Sequence, residues 1–534
     1  MATSKELSVN FSDHCTNYYI YDTISDMLRR LYVVHPFLFA LFPVLFLFSH
    51  NLGQASLSDV VLPVSIILFA VSSLFLVLWF GTKDAVRAGF MVSLFVLLFF
   101  SFGHIRYFVG DAAILGVAIG RERYILLFLI SIFALGAFAL LKIKKNLFQL
   151  NKILNGVAAV LVVISLFNIV VYQIGRRTTQ QNYAKTIGKI GEIKDRPNIY
   201  YIILDGYANA STLKALFKYD NTGFIEFLTS RGFTVTGESR SNYAWTFLSL
   251  ASSLNMVHVN NFTDTIGRDS QDRTVPFEMV ENNEIQRQLK ARGYKFIFIS
   301  SGLSRMTASN KFADLNLKES RLSEFSTALL ETTALYPFMR RIIGTSSQQA
   351  VLYAFDSLSK VPNFDEPRFT FAHITIPHPP YLFGPNGESI EDPTAKLPGY
   401  NRWKLKDYYV NHIIFTNKKV MELVDVILRK EKTPPIIIFQ ADHGTLSEGD
   451  QYNNFSQLTD TLAKERMKIF SAYYLPGEGK NILYSSITPV NSFRKIFNYY
   501  FKTDYPLLED TSFISTDDQP YNFIDVTNIA SKPF

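Results

Sequence analysis

Residues 435–444 read PIIIFQADHG, an apolar run that ends directly in an Asp-His-Gly turn. Three other short runs are likewise rich in β-branched and aromatic residues, and they alternate with amphipathic helical stretches. Fully apolar strands separated by such helices indicate a mostly parallel sheet that is covered by helices on both faces. The predicted strands are 198–204, 294–300, 368–376 and 435–441, and the helical stretches include 222–232, 284–293 and 408–430.

The polar residues at the ends of these strands are candidates for a metal site, because ligands bind outside the carboxyl ends of the strands in such sheets. Asp205 directly follows strand 198–204, and Asp442 and His443 directly follow strand 435–441. Carboxylate oxygens and imidazole nitrogens are ligands for divalent metals. An Asp-Gly pair alone is often only a turn. Two ionisable groups after an all-apolar strand, however, must be satisfied or functional.

Residues 240–256, RSNYAWTFLSLASSLNM, present Thr246 at the start of a predicted helix. A hydroxyl at this position lies among free backbone N–H groups, which favour an anion such as a phosphoryl oxygen. The alternative is a threonine that only caps the helix. Thr246 is therefore a candidate nucleophile from this segment, with the capping role left open.

Two histidines lie five residues apart in FAHITIPHPPYLFG, residues 371–384. His373 belongs to a predicted strand, and His378 lies in the proline-rich turn that follows it. A histidine in a buried strand can be a satisfied core residue. Two of them beside prolines that fix the loop favour a role in handling the substrate or the leaving group.

The first third of the chain carries five apolar stretches of about 20 residues, the length that crosses a hydrocarbon core of about 30 Å. One of them, VVLPVSIILFAVSSLFLVLWFG, has no charged residue. A charge in the middle of a membrane helix costs about 2.5–3.5 kcal/mol on insertion scales, so a run without any is typical of a membrane span. The predicted spans are 32–50, 60–81, 88–108, 124–142 and 153–174.

Lys and Arg residues in the short loops predict the orientation of these spans. Arg29 and Arg30 precede the first span, the loop after it has neither residue type, and the next loop carries Lys83 and Arg87. Four lysines in the fourth loop support the same pattern, whereas three arginines in the third loop oppose it. On balance the N-terminus is predicted to be cytoplasmic, and an odd number of spans then puts the C-terminal domain outside.

The predicted organisation is therefore an N-terminal five-helix transmembrane domain followed by an α/β domain in an inner or cytoplasmic membrane. Its segments are a cytoplasmic segment at 1–31, the spans at 32–174, a linker or interfacial helix at 175–197 and an extracytoplasmic, or periplasmic, domain at 198–534.

Charge and cysteine content exclude several classes of function. The formal net charge is +7, but Lys and Arg are scattered along the chain, so nucleic acid is not expected as a partner. The chain has a single cysteine, Cys15, which precedes the first apolar run. The C-terminal domain therefore has no disulfide, no cysteine metal site and no nucleophile made from cysteine.

Together the motifs resemble the sulfatase and alkaline phosphatase superfamily. Within it they resemble the membrane-bound branch of lipoteichoic acid synthases and lipid A phosphoethanolamine transferases. Membrane spans come first in that branch, followed by a first-strand acid, a threonine, a histidine and Asp-His-Gly. The resemblance implies an α/β sulfatase-like domain in which Thr246 and His378 are catalytic. It implies metal ligation by Asp205, Thr246, Asp442 and His443, and substrate binding by Ser249, His373 and Tyr381.

The chain also departs from these relatives. The phosphoethanolamine transferases usually carry disulfides in this domain, and they often have a further histidine shortly after Asp-His-Gly. Here no histidine occurs between His443 and Phe455. The Cys-x-Pro-x-Arg motif and its Ser form are absent as well, which disfavours a formylglycine sulfatase.

The resemblance implies transfer of a phospholipid head group, phosphoethanolamine or phosphoglycerol, through a covalent phospho-threonine at Thr246. The acceptor would be a hydroxyl of a cell-envelope glycan, lipid or polymer. The cofactor would be one divalent ion, Zn²⁺ or Mn²⁺, with Mg²⁺ as a further option. A hydrolase of the same fold that acts on phosphate or sulfate esters is the alternative. A transporter is the non-enzymatic alternative, although the spans show few of the paired charges or broken helices that a transporter would need.

Overall fold

The computed structural model describes most of the chain, with gaps. The described residues are 33–52, 55, 57–110, 113–114, 117–118, 121–179, 196–300, 305–319, 323–343, 347–390, 400–449 and 458–534. The predicted cytoplasmic segment 1–31 and most of the predicted linker 175–197 lie outside these residues. The chain divides into two compact units. One comprises residues 1–174 with Phe325–Ile342, and the other comprises Gly175–Glu324 with Ile343–Phe534.

The first unit contains five apolar helices, which correspond to the five predicted spans. They are α1 (His35–His50), α2 (Leu57–Thr82), α3 (Ala85–Val109), α4 (Glu122–Lys142) and α5 (Phe148–Thr179), with the short strands β1 (Ala113–Ile114) and β2 (Val117–Ala118) between α3 and α4. By length and composition, α2 to α5 can each cross a membrane. Helix α1 has 16 residues, about 24 Å at 1.5 Å per residue, and is shorter than the hydrocarbon core.

The α/β unit alternates strands with helices, as the sequence pattern predicts. Its strands are β3 (Ile199–Leu204), β4 (Thr234–Val235), β5 (Lys295–Ile299), β6 (Leu315–Leu317), β7 (Arg368–Ile374), β8 (Ile436–Gln440), β9 (Ser471–Tyr474), β10 (Phe513–Ile514) and β11 (Ile524–Asp525). Its helices up to β6 are α6 (Ala210–Phe217), α7 (Thr222–Ser230), α8 (Thr246–Asn255), α9 (Thr274–Glu281), α10 (Glu284–Ala291) and α11 (Arg305–Ala308).

The helices after β6 complete the order of elements. They are α12 (Glu324–Glu331), α13 (Tyr336–Ile343), α14 (Ser347–Ser359), α15 (Lys406–Lys430), α16 (Asp460–Met467), α17 (Pro489–Tyr500) and α18 (Thr527–Ala530). Within the described residues there are also a π-helical turn at Thr263–Gly267 and 3-10 helices at Arg402–Lys404 and Gly477–Ile482.

A seven-stranded sheet in the order β4-β9-β8-β3-β7-β5-β6 forms the centre of the α/β unit. Strand β3 pairs in parallel with both β7 and β8, and β5 pairs in parallel with β7 and β6. Only the β9 pairs, with β8 and with β4, are antiparallel. The prediction of a mostly parallel sheet is therefore confirmed.

Both faces of the sheet are buried, which explains why its strands are apolar without alternation. Along β3, Tyr200, Ile202 and Leu204 belong to one apolar core, whereas the alternate residues belong to a second core on the other face. Side chains of successive strand residues point to opposite faces, so two cores are what a doubly covered sheet requires. Because β3 pairs in parallel with β7 and β8, the carboxyl ends of these three strands meet at one edge of the sheet.

Candidate functional site

The predicted metal-site residues lie at the carboxyl ends of adjacent strands. Asp205 directly follows β3, and its N–H donates to the Ile374 carbonyl at the end of β7 at 2.9 Å. Asp442 and His443 follow β8, separated from the last strand residue by Ala441. Thr246 is the first residue of α8. The parallel pairing thus brings together side chains that are up to 238 positions apart in the chain.

The Nε2 atom of His443 lies at the centre of this cluster. It is 3.1 Å from Thr246 Oγ1, 3.5 Å from Asp205 Oδ1 and 3.4 Å from Asp442 Oδ2. On the other side of the ring, Nδ1 donates to the Gly444 carbonyl at 2.9 Å. That bond fixes the tautomer and leaves the lone pair of Nε2 directed at the cluster.

The donor set fits one divalent metal ion. Ligand atoms about 2.0–2.2 Å from a tetrahedral ion lie roughly 3.3–3.6 Å from one another, close to the distances seen around His443 Nε2. Asp205 Oδ1 and Asp442 Oδ2 are buried without a hydrogen-bond partner. Buried polar atoms are normally satisfied, so two orphaned carboxylate oxygens at one place indicate a missing cation.

Asp205 belongs to two groups of side chains that could hold a metal, each with its ligand atoms within 4.8 Å of one another. One group joins it to His378 and His443, and the other joins it to His373 and Asp442. His373 is buried, and its Nε2 lies 3.3 Å from Asp205 Oδ2. The resemblance implies substrate binding for His373. The geometry puts it against the carboxylates, and its substrate role stays a prediction.

The electrostatics of the cluster favour the protonation states that metal binding needs. Burial alone would raise the pKa of Asp205, but the neighbouring histidines, His378 above all, hold that pKa below its ordinary value. Burial and the positive charge of Arg466 lower the pKa of His443 to about 4. Asp205 is therefore ionised and His443 neutral at pH 7, as ligands must be. For His373, burial opposes protonation, yet the charge of Asp205 raises its pKa.

Thr246 does not cap α8. The residue at the N-cap is Trp245, which makes no side-chain capping bond, and Thr246 occupies the first helical position. The capping alternative is therefore wrong. The half-buried hydroxyl of Thr246 is directed instead at His443, among the free N–H groups of the first turn.

His378 lies beside the cluster and is half-buried. Its N–H donates to the Asp205 carbonyl at 3.0 Å, its Nδ1 bonds the Pro379 carbonyl, and its ring is 5.9 Å from that of His443. The Trp403 ring packs against it at 4.8 Å. These contacts engage Nδ1 of His378 and hold its ring beside the cluster, and its catalytic role stays a prediction.

Trp403 is a site residue that sequence reasoning missed. Gly206, which follows Asp205, has φ +70°, and a Cβ on it would lie 2.6 Å from the Trp403 ring. The indole thus covers the turn that carries the first metal-site acid. The 3-10 turn around Trp403 gave no signal in the sequence beyond the presence of a tryptophan.

Arg466 is a second residue that sequence reasoning missed. It is buried, and it donates from Nε to the Ala244 carbonyl at 2.8 Å and from Nη1 to the Gly444 carbonyl at 2.9 Å. Ala244 lies two residues before Thr246, and Gly444 directly follows His443. One guanidinium therefore joins the loop before Thr246 to the Asp-His-Gly loop.

Ser249 and Tyr381, the other residues that the resemblance implies in substrate binding, are buried. The Ser249 hydroxyl lies 3.4 Å from the Ser241 hydroxyl, which donates to the Asp442 carbonyl. The Tyr381 ring lies 5.1 Å from that of His412 on α15. Both residues support the loops around the site in this arrangement, and their binding of substrate stays a prediction.

No protein-family model and no curated protein sequence matches this chain. Among solved structures, the periplasmic domain of EcEptC from Escherichia coli matches at 14% identity and a TM-score of 0.43, covering 64% of this chain and 97% of that one. The lipooligosaccharide phosphoethanolamine transferase EptA of Neisseria meningitidis is an integral membrane protein. It matches at 12% identity and a TM-score of 0.38, and the match covers 88% of this chain and 95% of that one.

A sulfatase of Bacteroides thetaiotaomicron, BT33494S-sulf, matches at 12% identity and a TM-score of 0.35, covering 62% of this chain and 84% of that one. Phosphoethanolamine transferases and sulfatases are the groups that the sequence motifs resemble. A likeness at these levels carries no inference about the reaction. The function is therefore inferred from the residues of the site.

Proposed function

We propose that this chain is a membrane-anchored, metal-dependent phosphotransferase. It moves a phospholipid head group, phosphoethanolamine or phosphoglycerol, to a hydroxyl of a cell-envelope glycan, lipid or polymer. The observation that carries the proposal is the hydroxyl of Thr246, which lies 3.1 Å from His443 Nε2 at a helix N-terminus, beside two buried carboxylates. A threonine that only caps a helix or fills the core is not expected beside two buried carboxylates whose oxygens lack hydrogen-bond partners.

Asp205, Asp442 and His443 would hold one Zn²⁺ or Mn²⁺ ion together with Thr246. When bound, such an ion supplies positive charge that lowers the pKa of a hydroxyl and thereby makes it a nucleophile near neutral pH. The N–H groups at the start of α8 would receive the negative phosphoryl oxygens. The chain's own residues thus provide both the nucleophile and a site for the anion.

The reaction has two balanced steps. Thr246 Oγ1 gives its proton to water and bonds to phosphorus, while the bond from phosphorus to the diacylglycerol oxygen breaks. His378 donates a proton to that oxygen, so diacylglycerol leaves as an alcohol. In the second step His378 takes the proton of the acceptor hydroxyl, whose oxygen bonds to phosphorus. The bond from phosphorus to Thr246 Oγ1 breaks, and Thr246 Oγ1 takes a proton from water, which restores the enzyme.

Anchoring fits a lipid donor. Four helices of this chain have the length and composition to cross a membrane, and anchoring by them would confine enzyme and donor to one surface. On balance the loop charges predict that the α/β unit lies outside the cytoplasm, where it would meet cell-envelope acceptors. We therefore propose an extracytoplasmic active site on a cytoplasmic or inner membrane.

The test is mass spectrometry of the Thr246 peptide from the full chain. The protein is incubated in vesicles of phosphatidylethanolamine and phosphatidylglycerol with Mn²⁺ or Zn²⁺, beside Thr246→Ala as the control. We expect a phosphoethanolamine or phosphoglycerol mass on Thr246 and release of diacylglycerol, both absent from the variant. Diacylglycerol release that persists in Thr246→Ala would contradict the proposal. Head groups recovered only as free phosphomonoesters after addition of a hydroxyl acceptor would favour a hydrolase.

A further inference from the structure

One segment within the α/β half of the sequence packs with the membrane helices. Strand β6 and helix α14 both belong to the α/β unit, yet Phe325–Ile342 between them groups with the helical unit. This segment, residues 324–343, consists of the two short helices α12 and α13 joined by a turn. The chain thus leaves the α/β unit, joins the apolar helices and returns.

The turn of the segment is hydrogen-bonded to the backbone of α3. The Gly103 N–H donates to the Thr332 carbonyl at 2.9 Å, and the Ala334 N–H donates to the Phe99 carbonyl at 2.9 Å. Phe99 and Gly103 are four residues apart, one helical turn. Backbone groups of a membrane helix seldom bond outside the helix, so this pair of bonds marks a specific docking point.

Gly103 is what allows this approach. A glycine inside a helix costs about 1 kcal/mol relative to alanine, so its presence there calls for a local reason. A Cβ on Gly103 would lie 2.3 Å from the Glu331 carbonyl oxygen and 2.6 Å from Thr332 Cα. Both contacts are with backbone atoms, which cannot rotate away. Only glycine fits at this position of α3 while the segment is docked.

Side-chain contacts extend the docking to α1 and to the end of α3. Phe325 is only 6% exposed, shares an apolar core with residues of α1 and α3, and packs edge-on against Phe48 with ring centroids 6.2 Å apart. The Arg106 guanidinium lies 4.5 Å from the centre of the Tyr336 ring. Phe48 and Arg106 both lie in the last turn of their helices, near His50 and Val109.

These contacts put the segment at one face of the membrane. Successive spans alternate in direction, so the C-terminal ends of α3 and α5 lie on the same side. The chain enters the α/β unit from the end of α5. The segment therefore docks at the membrane face at which α5 ends.

We propose that residues 324–343 form a membrane-interface element, whose exposed apolar side chains insert among the lipids of that leaflet. Phe338 on α13 is 62% exposed and Leu335 before it is 43% exposed, and both belong to the unit that contains the four helices long and apolar enough to cross a membrane. Helix α13 reads YPFMRRII, which combines large apolar residues with two arginines, the composition of a helix that lies in a membrane interface. The occupant of this apolar face is the lipid surface.

The depth of Phe338 tests this directly in the full chain. Because Cys15 is the only cysteine, a Cys15→Ser background with Phe338→Cys accepts a single nitroxide label. In vesicles of phosphatidylethanolamine and phosphatidylglycerol, collisions with oxygen are compared with collisions with a water-soluble nickel chelate. Leu507→Cys, at a residue of the α/β unit that is 46% exposed, is the matched control.

We expect the ratio of oxygen to nickel collisions to be severalfold higher at position 338 than at position 507. An equal ratio would overturn the proposal, because it would mean that the face is in water. A label at 338 shielded from both reagents would overturn it too and would indicate a protein partner. None of these variants touches Thr246, so the outcome is independent of the chemistry proposed there.

A second pair of variants tests the docking point. Gly103→Ala in the labelled background should lower the ratio at position 338 toward the value of the water-exposed control, because the added Cβ displaces the turn of the segment. Gly156→Ala in α5 adds the same methyl group where nothing lies within 4 Å, and it should leave the ratio unchanged. An unchanged ratio in Gly103→Ala would overturn the role of the two backbone hydrogen bonds between α3 and the segment.

Discussion

Asp442 accepts a hydrogen bond from the Gly206 N–H through Oδ1 at 3.1 Å and keeps Oδ2 buried without a hydrogen-bond partner. Asp442→Asn keeps the shape but removes the charge and one acceptor oxygen. We expect affinity for Mn²⁺ or Zn²⁺ to fall by about 10- to 100-fold or more, measured by competition with a chromogenic chelator. Glu448→Gln, on the same loop but exposed, is the control. Equal affinities in the two variants would contradict the site.

Substitution of Arg466 tests whether this side chain positions the loops that carry Thr246 and His443, without itself binding metal or substrate. Arg466→Lys keeps the charge but cannot bond the Ala244 and Gly444 carbonyls together in the same geometry. We expect kcat for release of fluorescent diacylglycerol to fall about 100-fold with little change in KM, because a misplacement of about 1 Å costs this much. Metal affinity, measured by chelator competition, should change far less than in Asp442→Asn. A loss of metal affinity as large as in that variant would assign Arg466 to metal binding instead.

At the residue scale, the sequence could identify the ionisable residues that follow the strands. It could not identify the residues that contact them and fix their position. Asp205, Asp442 and His443 stand out because ionisable residues directly follow apolar strands, and the ends of parallel strands meet at one edge. Trp403 and Arg466 could not be found in this way, because their roles come from tertiary contacts with backbone atoms that no local pattern records.

At the scale of elements, the apolar pattern predicted strands β3, β5, β7 and β8 and the helices between them. It did not give their order in the sheet, because composition does not say which strands pair. The short strands β4 and β6, of two and three residues, carry too few residues to show a pattern. Helices α12 and α13 have eight residues each and mix apolar with charged residues, and their sequence alone does not reveal which core they join.

His412 joins α15 to the proline-rich loop and makes the stability of that contact pH-dependent. Its Nε2 accepts from the N–H groups of Leu382 and Phe383 at 2.6 and 3.0 Å, and burial lowers its pKa to about 4. The unfolded chain, with a pKa near 6.5, therefore takes up the proton first as pH falls. The free energy of unfolding should decrease between about pH 6.5 and pH 4, by at most about 3 kcal/mol.

Thermal unfolding of the full chain in detergent between pH 7 and pH 4 measures this effect. His412→Gln can still accept a bond from the loop, yet it has no group that titrates in this range. We expect the variant to start from a lower melting temperature at pH 7 and to lose less of it on acidification. Parallel curves for the two proteins would assign the acid sensitivity to other residues.

At the scale of the whole molecule, the uneven distribution of apolar residues predicted a division into an apolar helical part and an α/β part. The structure has both, but the chain passes between the two units three times, near residues 174, 324 and 342. A single linker was predicted, because one boundary is all that a change in composition reveals. Between the second and third passages, the Gly103 N–H donates to the Thr332 carbonyl in the turn before α13.

Two units with separate cores should respond differently to the metal. A ligand that binds only the folded state stabilises it by about 2.7 kcal/mol at 100 times its dissociation constant, and the ligand set belongs to the α/β unit alone. In thermal unfolding of the full chain, we expect Mn²⁺ or Zn²⁺ to raise, and EDTA to lower, the transition reported by Trp245 and Trp403. The transition reported by Trp79 in α2 should stay in place. Asp442→Asn should abolish the shift, whereas equal shifts of both transitions would mean that the units unfold as one body.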